Sequence, residues 1–387
     1  MFIAIQIVFW LCVFLIFWAN IGYGLSLKVL SRIFKKRQLK KDYEHLPTVT
    51  VMVVAHNEEK VIGQKLENLL ELDYPREKLR LLVSSDNSTD ATNSIVEEFI
   101  KAHPDTDLTL YCVKERKGKT NAQNEAQRTV TTEFLVMTDA NAMLDKNCVK
   151  ELMAAFASQD VSYVSGRLAY VNSGDAATAS SESGYWSSDL KLREIESRIQ
   201  TITAGNGAIY ACRNSEYIYL DPIRCHDGNM PMHYAIHGKK ALYNKDAVAF
   251  EKAGEVDKDE YKRKVRMSRG IIRAILPDIR ILNVFRCKWY SYFYFGHRTC
   301  RYMLWLNHLL AYVLNACLVL NPIYLVLFVC QNLFYFCAIL QLIFKTKNKY
   351  LRLVFYYCMT VVAQWNGVYN ILTGKAKPFW EKAETTR

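Results

Sequence analysis

The sequence predicts an α/β domain with a mainly parallel sheet, held between membrane-spanning helices. Charge is segregated along the chain: residues 1–27, 302–344 and 353–374 contain no Asp, Glu, Lys or Arg, although 23% of all residues are charged. An apolar run of about 18 residues can cross the hydrocarbon layer as a helix, and the run from Tyr302 to Phe344 has room for two. Between about Leu46 and Arg301, short β-branched runs alternate with amphipathic stretches, the pattern of repeated strand–helix units. The polar residues His56-Asn57-Glu58, Asp86-Asn87-Ser88 and Asp139-Ala140-Asn141 follow three of the β runs directly. That is where a doubly wound sheet binds its ligand, beyond the carboxyl ends of the strands.

In chain order, residues 1–27 are predicted as an N-terminal transmembrane helix and 28–45 as a basic juxtamembrane segment carrying Lys28, Arg32, Lys35, Lys36, Arg37, Lys40 and Lys41. Cytoplasmic flanks of membrane helices are rich in Lys and Arg, so the start of the chain is expected outside and the middle in the cytoplasm. No basic n-region or small-residue cleavage site marks a removable signal. Residues 46–275 form the soluble domain. Its expected strands are Thr48–Ala55, Leu79–Ser84, Leu108–Val113, Phe134–Thr138 and Val161–Tyr170. Its expected helices are Glu58–Glu71, Asp90–Lys101 capped by Ser88 or Thr89, Lys119–Thr129 and Lys146–Ser158.

Residues 276–301 read as an interfacial helix, because Trp289, Tyr290, Tyr292, Phe293, Tyr294 and Phe295 crowd beside Arg298 and Arg301 and aromatic residues favour the headgroup level. Asn321-Pro322 divides 302–344 into a transmembrane hairpin. Residues 350–374 form a third C-terminal membrane helix, spanning or re-entrant, and 375–387 a tail. The polar residues Asn307, His308, Asn315, Gln331, Gln341, Gln364 and Asn366 in these runs suit a polar lining or helix–helix contacts, the second being their commoner use.

The formal charge of +12 is accounted for by the juxtamembrane cluster facing anionic lipid, and nucleic acid is not required as a partner. The eleven cysteines contain no CxxC pair, and those in the cytoplasmic part are expected reduced. Cys225, His226, His233 and His237 lack the paired spacing of a structural zinc site. No GxGxxG follows the first strand, and Gly118-Lys119-Thr120 lacks the first glycine of a P-loop, whose place is taken by Val113. Asp139 and Asn141 are spaced as a ligand pair for a hard divalent cation that bridges phosphates. Asp86 and Asp90 also read as helix-capping residues.

These residues resemble the membrane-bound family 2 glycosyltransferases, the relatives of cellulose, hyaluronan and poly-N-acetylglucosamine synthases. The resemblance runs through Val54 to Glu59, Ser85 to Asp90, Lys117 to Ala122, Thr138 to Asn141, Ser165 to Leu168, Tyr185-Trp186, Gly207 to Ala211 and Arg263 to Arg266. The ending from Trp380 to Arg387 is similar to the tails of bacterial exopolysaccharide synthases. It implies a glycosyltransferase A-type nucleotide-sugar domain, Rossmann-like with a mixed sheet. Ala55, Glu58, Asp86, Lys119 and Asp139 would bind the donor, and Asp139 with Asn141 would hold Mg²⁺ or Mn²⁺.

Asp227 would be the base and Arg266 a cation for the leaving diphosphate, while His226, Arg263 and Trp186 are acceptor-side candidates. Two positions depart from the pattern. His226 replaces the first acid of the family's acidic pair, and Arg263 to Met267 keeps the Arg of QxxRW while losing its Gln and Trp. The activity expected from the resemblance is inverting, metal-dependent hexosyl transfer from a UDP-sugar to a growing exopolysaccharide, at the cytoplasmic face of the inner or plasma membrane in a multi-pass protein. The alternatives are single addition to a lipid acceptor, polyprenyl phosphate or diacylglycerol, and an inactive scaffold of a synthase complex. A polymer would need a membrane partner subunit, a homo-oligomer or a separate transporter, because three or four helices offer little wall for a polar path.

Overall fold

The computed structural model describes residues 2–34, 38–171, 177–252 and 257–376, with the backbone alone for 177–187 and 257–259. Lys35, Lys36, Arg37 and the tail carrying Trp380 lie outside the described residues. The chain divides into two units. One is built on Ser31–Glu255 with Arg280–Ser291, the other on Met1–Leu30, Val256–Ile279 and Tyr292–Ala376.

The first unit is built on eight strands: β1 (Val49–Ala55), β2 (Leu79–Ser85), β3 (Leu108–Cys112), β4 (Phe134–Asp139), β5 (Met143–Leu144), β6 (Val161–Tyr170), β7 (Ile209–Arg213) and β8 (Lys240–Glu251). They form one mixed sheet in the order β3-β2-β1-β4-β7-β6-β8-β5. The β3-β2-β1-β4 half is parallel. β7 runs antiparallel between β4 and β6, β8 is parallel to β6, and β5 is antiparallel to β8.

Every residue of β1 is buried, as in a parallel strand covered on both faces. Side chains alternate along a strand. Val49, Val51, Val53 and Ala55 therefore pack on one face with Ile62, Leu66 and Leu69, and Met52 and Val54 on the other with Ala122 and Ala126.

The five expected strands appear within a residue of their expected ends. β5, β7 and β8 were not legible. β8 contains Asn244-Lys245-Asp246, which breaks the apolar pattern because the strand bulges there. Ser165 pairs with Tyr243, yet two residues later Arg167 pairs with Val248. The Thr92–Ala102 helix has Ala91 at its N-cap with no capping side chain, so neither Ser88 nor Thr89 caps it. Asp90 Oδ1 accepts from Thr92 N at 3.0 Å, whereas Ser88 Oγ and Thr89 N are bonded to Asn57.

In the second unit, the helices Phe2–Phe17 and Tyr23–Ile33 are joined by a π-helical turn. Phe2–Ile33 and Pro322–Phe344 are long and apolar enough to cross a membrane. Pro322 sits in the first turn of its helix, and Asn321 Oδ1 caps it by accepting from Ile323 N at 3.0 Å. The other expected hairpin arm is helical over Leu304–Ala316, and helical backbone at Tyr294–Thr299 and Cys300–Tyr302 leads into it, with Met303 N donating to Thr299 O at 3.0 Å and Asn307 N to Met303 O at 2.9 Å. The last helix is Lys349–Leu372.

The polar side chains of these helices contact one another. His308 lies 2.9 Å from Tyr335 Oη and 2.8 Å from Tyr357 Oη, Gln364 bonds Trp305 N and Arg301 O, and Asn366 bonds Tyr261. Within residues 276–301 the backbone forms short helical turns up to Cys287 and is helical from Trp289 onward, π-helical over Tyr294–Thr299. Of the aromatic residues there, Tyr290, Phe293 and Tyr294 are buried, Trp289 and Tyr292 half-buried, and Phe295 exposed.

The β8 bulge makes a specific demand. A Cβ added at Gly166 would lie 2.6 Å from the backbone carbonyl of Ala247 and 2.9 Å from Ile209 Cγ2, so one strand must move. Gly166→Ala is expected to destabilise the domain by about 1–3 kcal/mol. Thermal unfolding checks this, and an unchanged melting temperature would mean that the bulge yields freely.

Candidate active site

The site begins with register. Ala55 pairs with Ser85, and Val54 pairs with Asp139, so three strands deliver their last residues to one edge. β1 lies between β2 and β4, and the chain turns opposite ways from it, which makes this edge the switch point of the sheet.

The loops beyond it are stitched together. His56 Nδ1 lies 2.8 Å from Asp86 O, Asn57 N donates to Ser88 Oγ at 3.1 Å, Asn57 Oδ1 accepts from Thr89 N at 2.8 Å, and Glu58 N donates to Thr92 Oγ1 at 2.7 Å. Asn57 and Asn87 adopt left-handed backbone angles, φ 55° and 54°, which Asn tolerates better than most residues. Glu58 is buried beneath these loops. Ala55 ends β1, and its carbonyl accepts from Asp86 N at 2.8 Å.

Asp86 is buried, and its two oxygens accept from the backbone nitrogens of Lys117, at 3.2 Å, and Gly118, at 2.9 Å. The carboxylate thus shapes the turn that opens the Lys119–Gln127 helix. Gly118 completes that turn at φ 93°, a conformation without penalty only for glycine. Lys119 is the first helical residue, and its ammonium is ion-paired with Asp139 Oδ1 and donates to Gly207 O at 2.7 Å.

Gly207 is where the donor side and the base side meet. A Cβ there would lie 3.6 Å from Lys119 Nζ and 3.6 Å from Asp227 Oδ2. Asp227 lies in the first turn of the His226–Ile236 helix, and its carbonyl accepts from Gly205 N at 2.7 Å. Folding therefore brings Lys119, Asp139 and Asp227 to one small volume.

The sequence reading missed what holds this volume open. Arg193 and Asp189, both buried, pair at 2.7 Å, and Arg193 also donates to Gly205 O at 2.6 Å, fixing the 205–207 loop. Their i,i+4 spacing on the Ala177–Ile199 helix is the only signal the sequence carries for this brace. Glu251, at the end of β8, was missed as well; its Oε1 accepts from Asn141 Nδ2 at 2.7 Å.

That bond bears on the divalent cation. It commits the amide nitrogen of Asn141 and leaves Oδ1, the atom that can bind a metal, with no hydrogen bond among the described residues. Asp139 is partly exposed, and its charge is balanced by Lys119. No group of three or more His, Cys, Asp or Glu suited to a metal occurs among the described residues. One carboxylate and one amide oxygen nevertheless fit Mg²⁺ or Mn²⁺ held chiefly by a substrate diphosphate, since such ions take one or two protein carboxylates beside phosphate oxygens.

Other candidates stand elsewhere. His226 is not on an acceptor surface. Its ring is buried, with Nδ1 2.9 Å from Gln123 Oε1 and Nε2 3.1 Å from Ile218 O, beside Tyr217. The Arg263 guanidinium, partly exposed, pairs with the buried Glu260 at 2.6 and 2.9 Å. Arg263 and Arg266 both belong to the helical unit. The Trp186 side chain lies outside the described residues.

Burial pushes the His226 pKa down to about 4. The unfolded ring, near 6.5, takes up its proton first on acidification. The stabilisation is therefore complete above pH 6.5 and is lost as the pH falls toward 4, by about 3 kcal/mol at most. His226→Gln should flatten the decline in melting temperature between pH 7 and pH 4.5. A decline as steep as that of the wild type would show that the ring titrates normally.

Residues 50–215 match the family described as glycosyl transferase family 2. The β-monoglucosyldiacylglycerol synthase of Nostoc sp. is 28% identical over 172 residues, which cover 44% of this chain and 36% of that protein. The poly-β-1,6-N-acetyl-D-glucosamine synthase of Staphylococcus epidermidis is 26% identical over 107 residues, covering 28% of this chain and 25% of that protein. The matched part of the chain thus spans only about a third of the length of such relatives. The mannosyltransferase PcManGT from Pyrobaculum calidifontis, solved with GDP-Man and Mn²⁺, superposes with a TM-score of 0.72 over 96% of this chain and 99% of that one, at 22% identity. The fold is shared: a glycosyltransferase A-type sheet flanked by helices.

Proposed function

We propose that this chain, whose residues 50–215 form a glycosyl transferase family 2 domain, moves a hexose from a UDP-sugar to an acceptor hydroxyl at the cytoplasmic face of the cell membrane, with inversion at the anomeric carbon. The observation that carries this reading is the placement of Gly207 between Lys119, paired with Asp139, on one side and Asp227 on the other. In one step the acceptor oxygen bonds to C1, the C1–O bond to the diphosphate breaks with its electron pair leaving on UDP, and the hydroxyl proton passes to the Asp227 carboxylate.

Glu58 and the turn shaped by Asp86 bind the nucleotide, and Lys119 places a cation where negative charge grows on the leaving diphosphate. Asp139 and Asn141 would hold Mg²⁺ or Mn²⁺, which supplies Lewis-acid stabilisation of that charge.

Between the two acceptor classes, a lipid-linked acceptor is favoured over the end of a growing exopolysaccharide. Met267 stands where processive relatives carry the Trp that lies under the sugar chain, and Arg263 is already engaged by Glu260. The assembled Lys119, Asp139 and Asp227 argue against an inactive scaffold. A lipid-linked product would need a separate transporter to reach the outer face.

Membranes supplied with labelled UDP-glucose, UDP-N-acetylglucosamine and UDP-galactose should release UDP with one donor and yield an organic-extractable product. High-molecular-weight aqueous material would restore the exopolysaccharide reading, and no UDP release with any of the three would overturn the transferase reading for these donors. Asp227→Asn should keep UDP-sugar binding and lose about 10²–10⁴-fold in turnover, because an amide fills the space but cannot take the proton. Transfer at the wild-type rate would place the base elsewhere.

A further inference from the structure

We propose that Lys65 is a positioning residue that braces the turn carrying Asp139 and Asn141 from inside the core, setting the separation of the two oxygen donors before a cation arrives. Lys65 projects from the Ile62–Leu70 helix and is completely buried. Its ammonium donates to Thr138 Oγ1 at 3.2 Å and to the carbonyl of Ala142. Those two residues flank the 139–141 segment, so one side chain ties together both ends of the turn. Inside this tie the turn is closed by Ala142 N donating to Asp139 O at 3.2 Å. One helical turn further along, Asn68 continues the clamp, with Nδ2 donating to Leu144 O at 2.9 Å and Oδ1 accepting from Leu144 N at 2.7 Å.

The slot is otherwise apolar, since Ile62, Leu66 and Leu69 from the same helix pack against β1. Lysine is almost never fully buried unless paired, and among the described residues no carboxylate lies within ion-pair distance of Lys65. Burial in this slot pushes its pKa down to about 7. A leucine or methionine would fill the space without that desolvation cost, so the chemistry that distinguishes lysine here lies in the two bonds it makes across the turn. Without them the Ala142 carbonyl loses its partner, and the 139–141 segment is free to change the separation of its donors. Residues that orient metal ligands through hydrogen bonds typically account for about 10–100-fold in metal affinity.

This inference rests on the reading of Asp139 and Asn141 as cation ligands, and the experiment separates the two. The full chain is titrated with Mn²⁺ in the presence of UDP. Bound metal is read from the loss of the free Mn²⁺ electron paramagnetic resonance signal against a UDP–Mn²⁺ blank, and the melting temperature is recorded for each variant. Lys65→Met is expected to raise the Mn²⁺ dissociation constant about 10–100-fold. Lys65→Gln, which keeps a donor for the turn, should fall between it and the wild type. Thr138→Val, which leaves Lys65 in place and removes one bond, should shift the constant in the same direction and covers the case in which Lys65→Met does not fold. Thr50→Val removes the buried Thr50–Thr132 bond on β1 and should lower the melting temperature without moving the Mn²⁺ constant. Variants at Lys65 and Thr138 that melt earlier yet bind Mn²⁺ as the wild type does would overturn the inference alone. A wild-type protein that binds no Mn²⁺ beyond the blank would overturn the cation reading and this inference with it.

Discussion

The pairing of β1 with β2 on one side and β4 on the other is the constraint from which the candidate site follows. The register sets Ala55 against Ser85 and Val54 against Asp139. A slip of one residue would send each side chain to the opposite face of the sheet. It would also bury Asp139 or move it off the edge. The register is held by the apolar residues themselves, because both faces of β1 are covered, by Ile62, Leu66 and Leu69 on one side and by Ala122 and Ala126 on the other. The core therefore specifies the position of a carboxylate that it does not touch.

Beyond the strand ends, order comes from buried polar groups used as braces. Asp86 accepts from two backbone nitrogens and shapes the turn that delivers Lys119. Arg193 and Asp189 hold the carbonyl of Gly205, and Lys65 holds the turn after β4. Each of these groups would be costly to bury alone and is tolerated because it satisfies a loop that has no regular backbone partner. Lys119 differs from them, being partly exposed and balanced by Asp139.

The helical unit uses polar side chains in the same economical way. His308 bridges two tyrosine hydroxyls from different helices, Gln364 joins the Lys349–Leu372 helix to backbone atoms at Arg301 and Trp305, and the buried Glu260 gathers Arg263, Lys264 and Tyr356. In low dielectric such bonds are favoured because the alternative is an unpaired polar group. Gly367 allows one such close approach, since a Cβ there would lie 2.4 Å from Ser268 Cβ. The polar residues of the apolar runs that make these bonds are thus engaged in packing within this unit.

By itself the sequence determined what depends on local pattern. Buried parallel strands read as β-branched runs, membrane-length helices read as uncharged runs, and the family motifs mark the strand-end loops, so β1 to β4, β6 and the residues Glu58, Asp86, Lys119, Asp139 and Asp227 were all visible. Tertiary structure alone decided what depends on partners distant in the chain. β8 is a strand because β6 accepts its bulge. His226 is a core residue because Gln123 and Ile218 close over it, and Arg263 is occupied because Glu260 is buried beside it. Gly207 became the meeting point of the site only when Lys119 and Asp227, 88 residues behind and 20 ahead of it, were folded against it. No local pattern records such a meeting, because the free energy that brings these groups together belongs to the packing of the whole sheet and not to the residues that meet.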